Sequence, residues 1–122
     1  MDFNLTEQQK MMKKLFSEFA EKEVKPLAGE IDEEERFPRE TVDKMVACKM
    51  FGIPFSREYG GAGADYLSYI LAVEELSKVC ATTGVILSAH TSLGTFPIDA
   101  FGTPEQKAKY LPDLCSGKKL GA

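Results

Sequence analysis

Residues 66–98 read YLSYILAVEELSKVCATTGVILSAHTSLGTFPI, and the fold turns on them. From Tyr66 to Cys80 the run is apolar around most of a helical circumference, broken mainly by Ser68, Glu74, Glu75 and Lys78. A helix that is apolar on nearly all sides has to be wrapped by neighbours. From Cys80 to Ile98 there is no Asp, Glu, Lys or Arg, and Thr82 or Thr83 offers a hydroxyl to cap a second helix reaching the Pro97 region. At ~1.5 Å per residue each helix would be roughly 25 Å long, the width of a small domain. The uncharged run approaches a membrane span in length, but its threonines, serines, glycines and His90 make it too polar for lipid. Two helices buried inside protein are the expectation.

Outward from this pair the chain stays helical. Asp65 is placed to cap the helix that follows it. Before it lies a long connection, Gly52 to Asp65, with Pro54, Gly60, Gly61 and Gly63, of the kind that is functional or packed against something else. A helix starting near Pro38 carries Val42, Met45, Val46 and Met50 on one stripe, with Gly52 as its stop. Thr6 with Gln9 makes a capping box, and Met12, Leu15, Phe16, Phe19 and Ala20 repeat behind it at helical spacing. Lys25 before Pro26 marks an end or a kink there, and Pro26 can open a short second helix with Leu27 and Ile31 inward. Its Glu30, Asp32, Glu33, Glu34 and Glu35 read as a solvated face rather than an acidic site. Downstream, Gly102 stops one element, Thr103-Pro104 and Gln106 form a second capping box, and Pro112 and Gly117 bracket a last helical turn or two. No alternating run flanked by hairpin turns occurs. The expected fold is all-α: one domain, residues 1–122, of about six helices in an up-and-down-like bundle around two long central ones.

Composition narrows the function. A hydrophobic fraction of 43% and a charged fraction of 28% describe an ordinary globular domain with a real core. A net charge of −4 argues against nucleic acid, which calls for clustered Lys and Arg, and gives no reason for an anionic membrane partner. Cys48, Cys80 and Cys115 are odd in number and far apart, which suggests reduced thiols in a cytoplasm-like compartment. Met1 to Leu5 lead straight into the first cap without the basic region of a signal or transit peptide, which supports the same cytoplasmic expectation.

Chemistry-bearing patterns are few. Gly60-Gly61-Ala62-Gly63 lacks both the preceding strand and the third glycine of a dinucleotide fingerprint, Tyr66 standing at that position. Gly117-Lys118-Lys119 fails as a phosphate loop. His90, the one histidine, has no Cys or carboxylate a helical turn away to complete a zinc site, so a hydrogen-bonded, buried or interfacial ring is expected. Glu74 and Glu75 diverge by about 100° on a helix, so at most one points inward, and a surface or salt-bridged pair is the reading. Gly84, Ser88, Ala89 and Gly94 permit close approach, and with Val85, Ile86, Leu87 and Leu93 they could line a slot for an aliphatic chain. Helix packing explains the same residues equally well.

An ordered set of motifs adds what spacing alone does not. Thr6-Glu7-Gln8-Gln9, Ile53-Pro54, Glu58-Tyr59-Gly60-Gly61-Ala62-Gly63, Ala72-Val73-Glu74-Glu75-Leu76-Ser77 and Ser92-Leu93-Gly94 with Pro97-Ile98 come first. Phe101-Gly102-Thr103, Glu105-Gln106-Lys107, Lys109-Tyr110-Leu111-Pro112 and Ser116 to Ala122 complete the set. Over essentially its whole length the chain resembles the N-terminal domain of the acyl-CoA dehydrogenases, of the short-chain or butyryl-CoA type. The resemblance implies a three-part parent flavoenzyme that uses FAD to make a trans-2,3 double bond in a short-chain acyl-CoA. A glutamate base in the C-terminal helical domain takes the α-proton, and a middle β-domain supplies many flavin contacts. Electrons then pass to an electron-transferring flavoprotein, and the parent is expected to be a homotetramer.

Relatives continue past the equivalent of Leu120-Gly121-Ala122 into the β-domain, so the expectation is an excised or partial domain that neither holds FAD alone nor carries a catalytic residue. The resemblance transfers a pocket wall: Ile86, Leu87 and Leu93 match positions bordering the acyl chain, and longer-chain relatives differ in length just before Ser92. The competing readings are a stand-alone helical module that binds acyl-CoA without chemistry and a pure interaction domain.

Overall fold

The structure is a computed structural model that describes residues 1–122. It contains α1 (Glu7–Phe19), α2 (Lys25–Glu34), α3 (Arg39–Ala47), α4 (Tyr66–Val79), α5 (Ala81–Ser88), α6 (Phe96–Phe101) and α7 (Pro104–Cys115), with no strand. α1 packs on α4 and α4 on α5, so the pair expected at the centre is at the centre.

Both capping boxes form. Thr6 Oγ1 accepts from the Gln9 amide at 3.2 Å while the Gln9 side chain accepts from the Thr6 amide at 2.9 Å, and Thr103 with Gln106 repeats the pattern. Asp65 does more than cap α4. One carboxylate oxygen accepts from the Ser68 amide at 2.7 Å, and the other accepts from Gln9 Nε2 at 2.8 Å. A single carboxylate thus ties together the starts of α1 and α4, and those hydrogen bonds hold it below the usual carboxylate range, Ser68 contributing most.

The six expected helices resolve into five rods, because α1 and α2 do not separate. Residues 20–24 form a wide π turn that carries α1 into α2, with the Lys25 amide donating to the Ala20 carbonyl five residues back. A second wide turn, Ala89–Thr95, joins α5 to α6 in the same way, the Phe96 amide donating to the Thr91 carbonyl. Each is followed at once by a proline, Pro26 and Pro97, at the start of the next segment. Proline lacks an amide hydrogen and its ring crowds the carbonyl four residues back. The widened turn relieves that clash and lets the rod continue. Pro112 lies inside α7 rather than at its boundary.

Other boundaries shift for local reasons. α5 is capped by the extended backbone of Cys80 (φ −156°, ψ 106°), not by Thr82 or Thr83. Thr83 is fully buried instead. α3 ends at Ala47, with Lys49 in the left-handed region (φ 57°), while Gly52 sits in a short 3₁₀ turn. A side chain on Gly52 would come 2.7 Å from the Cys115 carbonyl oxygen, so close packing requires the glycine. The connection after it closes on itself: the Ala62, Gly63 and Ala64 amides donate to the Gly52, Phe55 and Ile53 carbonyls. Gly60 and Gly63 take the positive φ that its glycines promised.

The main core gathers Phe16, Val24, Val42, Met45, Phe51, Tyr69, Leu76 and Leu87 among others, and a small satellite holds Phe55, Leu111 and Cys115. Of the α1 stripe, Phe16 and Ala20 bury, whereas Leu15 is 58% exposed beside an apolar groove that includes Met12, Phe19 and Met50. The acidic face of α2 is solvated but organised. Arg36 binds Glu30, Glu34 and Glu40 at 2.7, 3.3 and 2.5 Å, clasping α2 to α3 across the turn, and pulls the Glu40 carboxyl down to about 2.

Candidate functional site

The rod 81–101 turns its sides to different surroundings. Thr83 and Leu87 are fully buried, Ile86 is half-buried against the core, and Val85 and Leu93 stand out at 63% and 66% exposure. The three residues expected to border an acyl chain therefore do not share one surface. Leu87 lies within the core and Ile86 at its margin, while Leu93 alone projects freely.

The wide turn Ala89–Thr95 is where the rod changes character. His90, Thr91 and Thr95 point inward, while Ser92 and Leu93 point out. His90 is 1% exposed, with the edge of its ring system set against Phe51 at a centroid distance of 4.7 Å. Its Nε2 lies 2.9 Å from the Leu114 carbonyl oxygen, and its Nδ1 accepts from the Gly121 amide at 3.0 Å. A carbonyl can only accept, so Nε2 carries the proton and Nδ1 does not. Burial pushes the imidazole pKa below its ordinary value, which keeps this ring neutral. The expected hydrogen-bonded, buried histidine is what the fold holds.

Beside this turn opens a cleft of ≈ 310 Å³, in which Leu93, Gly94 and Ile98 face Tyr110 and Leu114 of α7 and Leu120 and Gly121 of the tail. Of this lining, the sequence points to Leu93 as a pocket residue and to Gly94 as a point of close approach. Ile98, Tyr110 and Leu120 come together by tertiary folding, and the only sequence signal is the glycine on each side, Gly94 and Gly121. Lys109, Asp113 and Lys119 supply its polar rim, with Asp113 paired to Lys119 at 3.3 Å.

Glu75 is buried and paired with Lys78 at 2.7 Å, while Glu74 stays at the surface near Lys13 and Lys78. This is the salt-bridged pair expected, and neither carboxylate faces the cleft lining. Cys80 and Cys115 are buried, and burial pushes the Cys115 thiol up to about 11. No three His, Cys, Asp or Glu side chains converge to hold a metal, and no helix is long and apolar enough to cross a membrane. The residues present do not fit FAD. The cleft is at the small end of ligand sites, and the buried side-chain atoms without partners are the hydroxyls of Thr41, Thr83 and Thr91, shielded from solvent within the domain.

Fold and site together define an all-helical domain with a cleft of mixed apolar and charged lining beside its second wide turn. The chain belongs to the acyl-CoA dehydrogenase N-terminal domain family, whose model matches residues 6–118. It is 66% identical over all of its 122 residues to a short-chain specific acyl-CoA dehydrogenase of Clostridium acetobutylicum, of which it covers 32%. Among solved structures it superposes on butyryl-CoA dehydrogenase from Megasphaera elsdenii with a TM-score of 0.91 at 44% identity, covering 98% of this chain and 32% of that one. An acyl-CoA dehydrogenase complexed with FAD from Bacillus anthracis matches with a TM-score of 0.89 at 33% identity, over 98% of this chain and 20% of that one. The chain thus spans about a third of the length of the curated relative it matches.

Proposed function

We propose that this chain serves as the helical N-terminal domain of an FAD-dependent short-chain acyl-CoA dehydrogenase, where it forms one wall of the acyl pocket. The observation that carries the reading is one exposed apolar side chain on the rod 81–101. Leu93 is 66% exposed beside a cleft, in a chain whose relatives act on short acyl-CoA substrates. Ile86 lies partly buried on the same rod, and Leu87 acts from behind as the core residue that holds the wall in place. The α-proton transfer, and the hydride transfer to the flavin that FAD supplies when bound, belong to residues outside these 122. Electron-transferring flavoprotein as acceptor and a homotetrameric parent enzyme are part of the same proposal.

In an enzyme that contains this domain, Leu93→Ala and Ile86→Ala are expected to raise kcat/KM for hexanoyl-CoA relative to butyryl-CoA. Removing pocket methylenes of this kind shifts such ratios by about tenfold or more. An unchanged ratio in both variants would remove the wall reading. A titration of the 122-residue chain alone with FAD and butyryl-CoA is expected to show binding of neither. Tight butyryl-CoA binding without FAD would instead establish a stand-alone binding module.

A further inference from the structure

Residues 119–122 form the far side of the cleft, yet they belong to no helix. Three features set their course. Gly117, at φ +77°, turns the chain back after α7. At the base of the tail, Lys119 is anchored to Asp113 twice, by the 3.3 Å ion pair and by its amide on the Asp113 carbonyl at 3.1 Å. Further along, the Gly121 amide reaches His90 Nδ1, and the Gly121 backbone lies directly on Gly94. A Cβ placed on Gly94 would sit 2.6 Å from Gly121 Cα, so the crossing exists only because neither residue has a side chain.

We infer that His90 is a positioning residue: its Nδ1 holds the Gly121 amide and so lays residues 119–122 across the wide turn as the second wall of the cleft in which Leu93 stands. The ring is suited to this because both of its edges are committed. Nε2–H donates to Leu114, fixing the end of α7, and the unprotonated Nδ1 has a main-chain donor as its partner. Phe51 and the Thr95 hydroxyl, 3.3 Å from Nε2, fix the ring plane. One side chain thus sets how the tail crosses the wide turn, two segments that share no backbone hydrogen bond with each other. In functional terms the inference deepens the reading of Leu93 as acyl wall and rests on it, because the position of Leu120 opposite Leu93 then depends on His90.

The test separates the two edges of the ring. In His90→Asn the Oδ1 atom replaces the Nδ1 acceptor, whereas in His90→Gln the carboxamide reaches toward the Leu114 carbonyl and the Nδ1 acceptor is lost. Amide exchange of Gly121 and the methyl shifts of Leu93 and Leu120 are followed by NMR in the 122-residue chain. His90→Gln is expected to speed Gly121 exchange by about tenfold, the equivalent of one hydrogen bond, and to move both leucine methyls. His90→Asn is expected to restore protection. Equal Gly121 exchange in all three proteins, or equal loss in both variants, overturns the inference. Should His90→Gln fail to fold, Gly94→Ala carries the test. It must lift the tail and expose Gly121 while leaving the His90–Leu114 bond in place, and unaltered Gly121 protection overturns the assignment. Failure here leaves the chain-length result at Leu93 standing, and a failed chain-length result leaves the His90–Gly121 positioning standing while removing its link to an acyl pocket.

Discussion

The Asp65 carboxylate accepts from the Ser68 amide with one oxygen and from the Gln9 side chain with the other, so removing it orphans two donors. A lost N-cap typically costs ~1 kcal/mol, and Gln9 is itself buried. Asp65→Ala is therefore expected to cost about 1–2 kcal/mol in urea unfolding, Asp65→Asn clearly less, because the amide oxygen still caps α4. The acid limb has a definite sign. The folded carboxyl is held below its unfolded value, so its contribution is complete above the unfolded pKa of about 4 and disappears as pH falls through the folded value. Asp65→Ala should lose less stability than the parent between pH 5 and pH 3 on that account; parallel acid slopes for the two proteins would contradict it. The cap itself was legible in the sequence, as were both capping boxes, because a cap is a local event. The second oxygen was not legible, since Gln9 and Asp65 are 56 residues apart. His90 is the same case: its burial could be read from its neighbours, but its partners on α7 and the tail could not.

At the scale of elements, the two prolines mark the limit of reading by rule. Pro26 and Pro97 signal helix ends, yet both lie in continuous rods because a wide turn precedes each. Nothing local announces such a turn. It follows from the need to keep both the residues before it, such as Leu87, and those after it, such as Ile98, packed on the core. A π turn behaves as an α-helix with one extra residue. Deleting Ser92, which is exposed, is expected to convert the turn to regular helix and keep the downstream faces in register. Circular dichroism should retain its helical signal with a loss of about 3 kcal/mol, because Pro97 then sits inside a regular helix. Deleting a residue within α4 rotates the following face by about 100° and is expected to unfold the domain. Unfolding by the Ser92 deletion would show that the extra residue is structurally required.

For the molecule as a whole, the all-α architecture and its central pair were legible because an apolar run of that length admits few other arrangements. The cleft was not, because its walls come from three separated segments. The surface also holds large apolar side chains that this fold leaves uncovered: Phe101 is 82% exposed, with Phe96 beside it and Tyr66 next to Phe96. Apolar patches of this size usually seek partners. The 122-residue chain is expected to self-associate at micromolar concentration or above, visible as a concentration-dependent sedimentation coefficient. A monodisperse monomer with a sharp unfolding transition would count against it.

The carboxylate shared by two helix starts also bears on how the domain breathes. Each first turn carries its own cap, and the Gln9–Asp65 hydrogen bond couples the two, so fraying of α1 at its beginning strips the carboxylate that caps α4 of one partner. Two stretches that are distant along the polypeptide are thereby joined into one cooperative opening unit. The amides of residues 7–10 and 66–69 are then expected to exchange with solvent more nearly together than two uncoupled helix starts would.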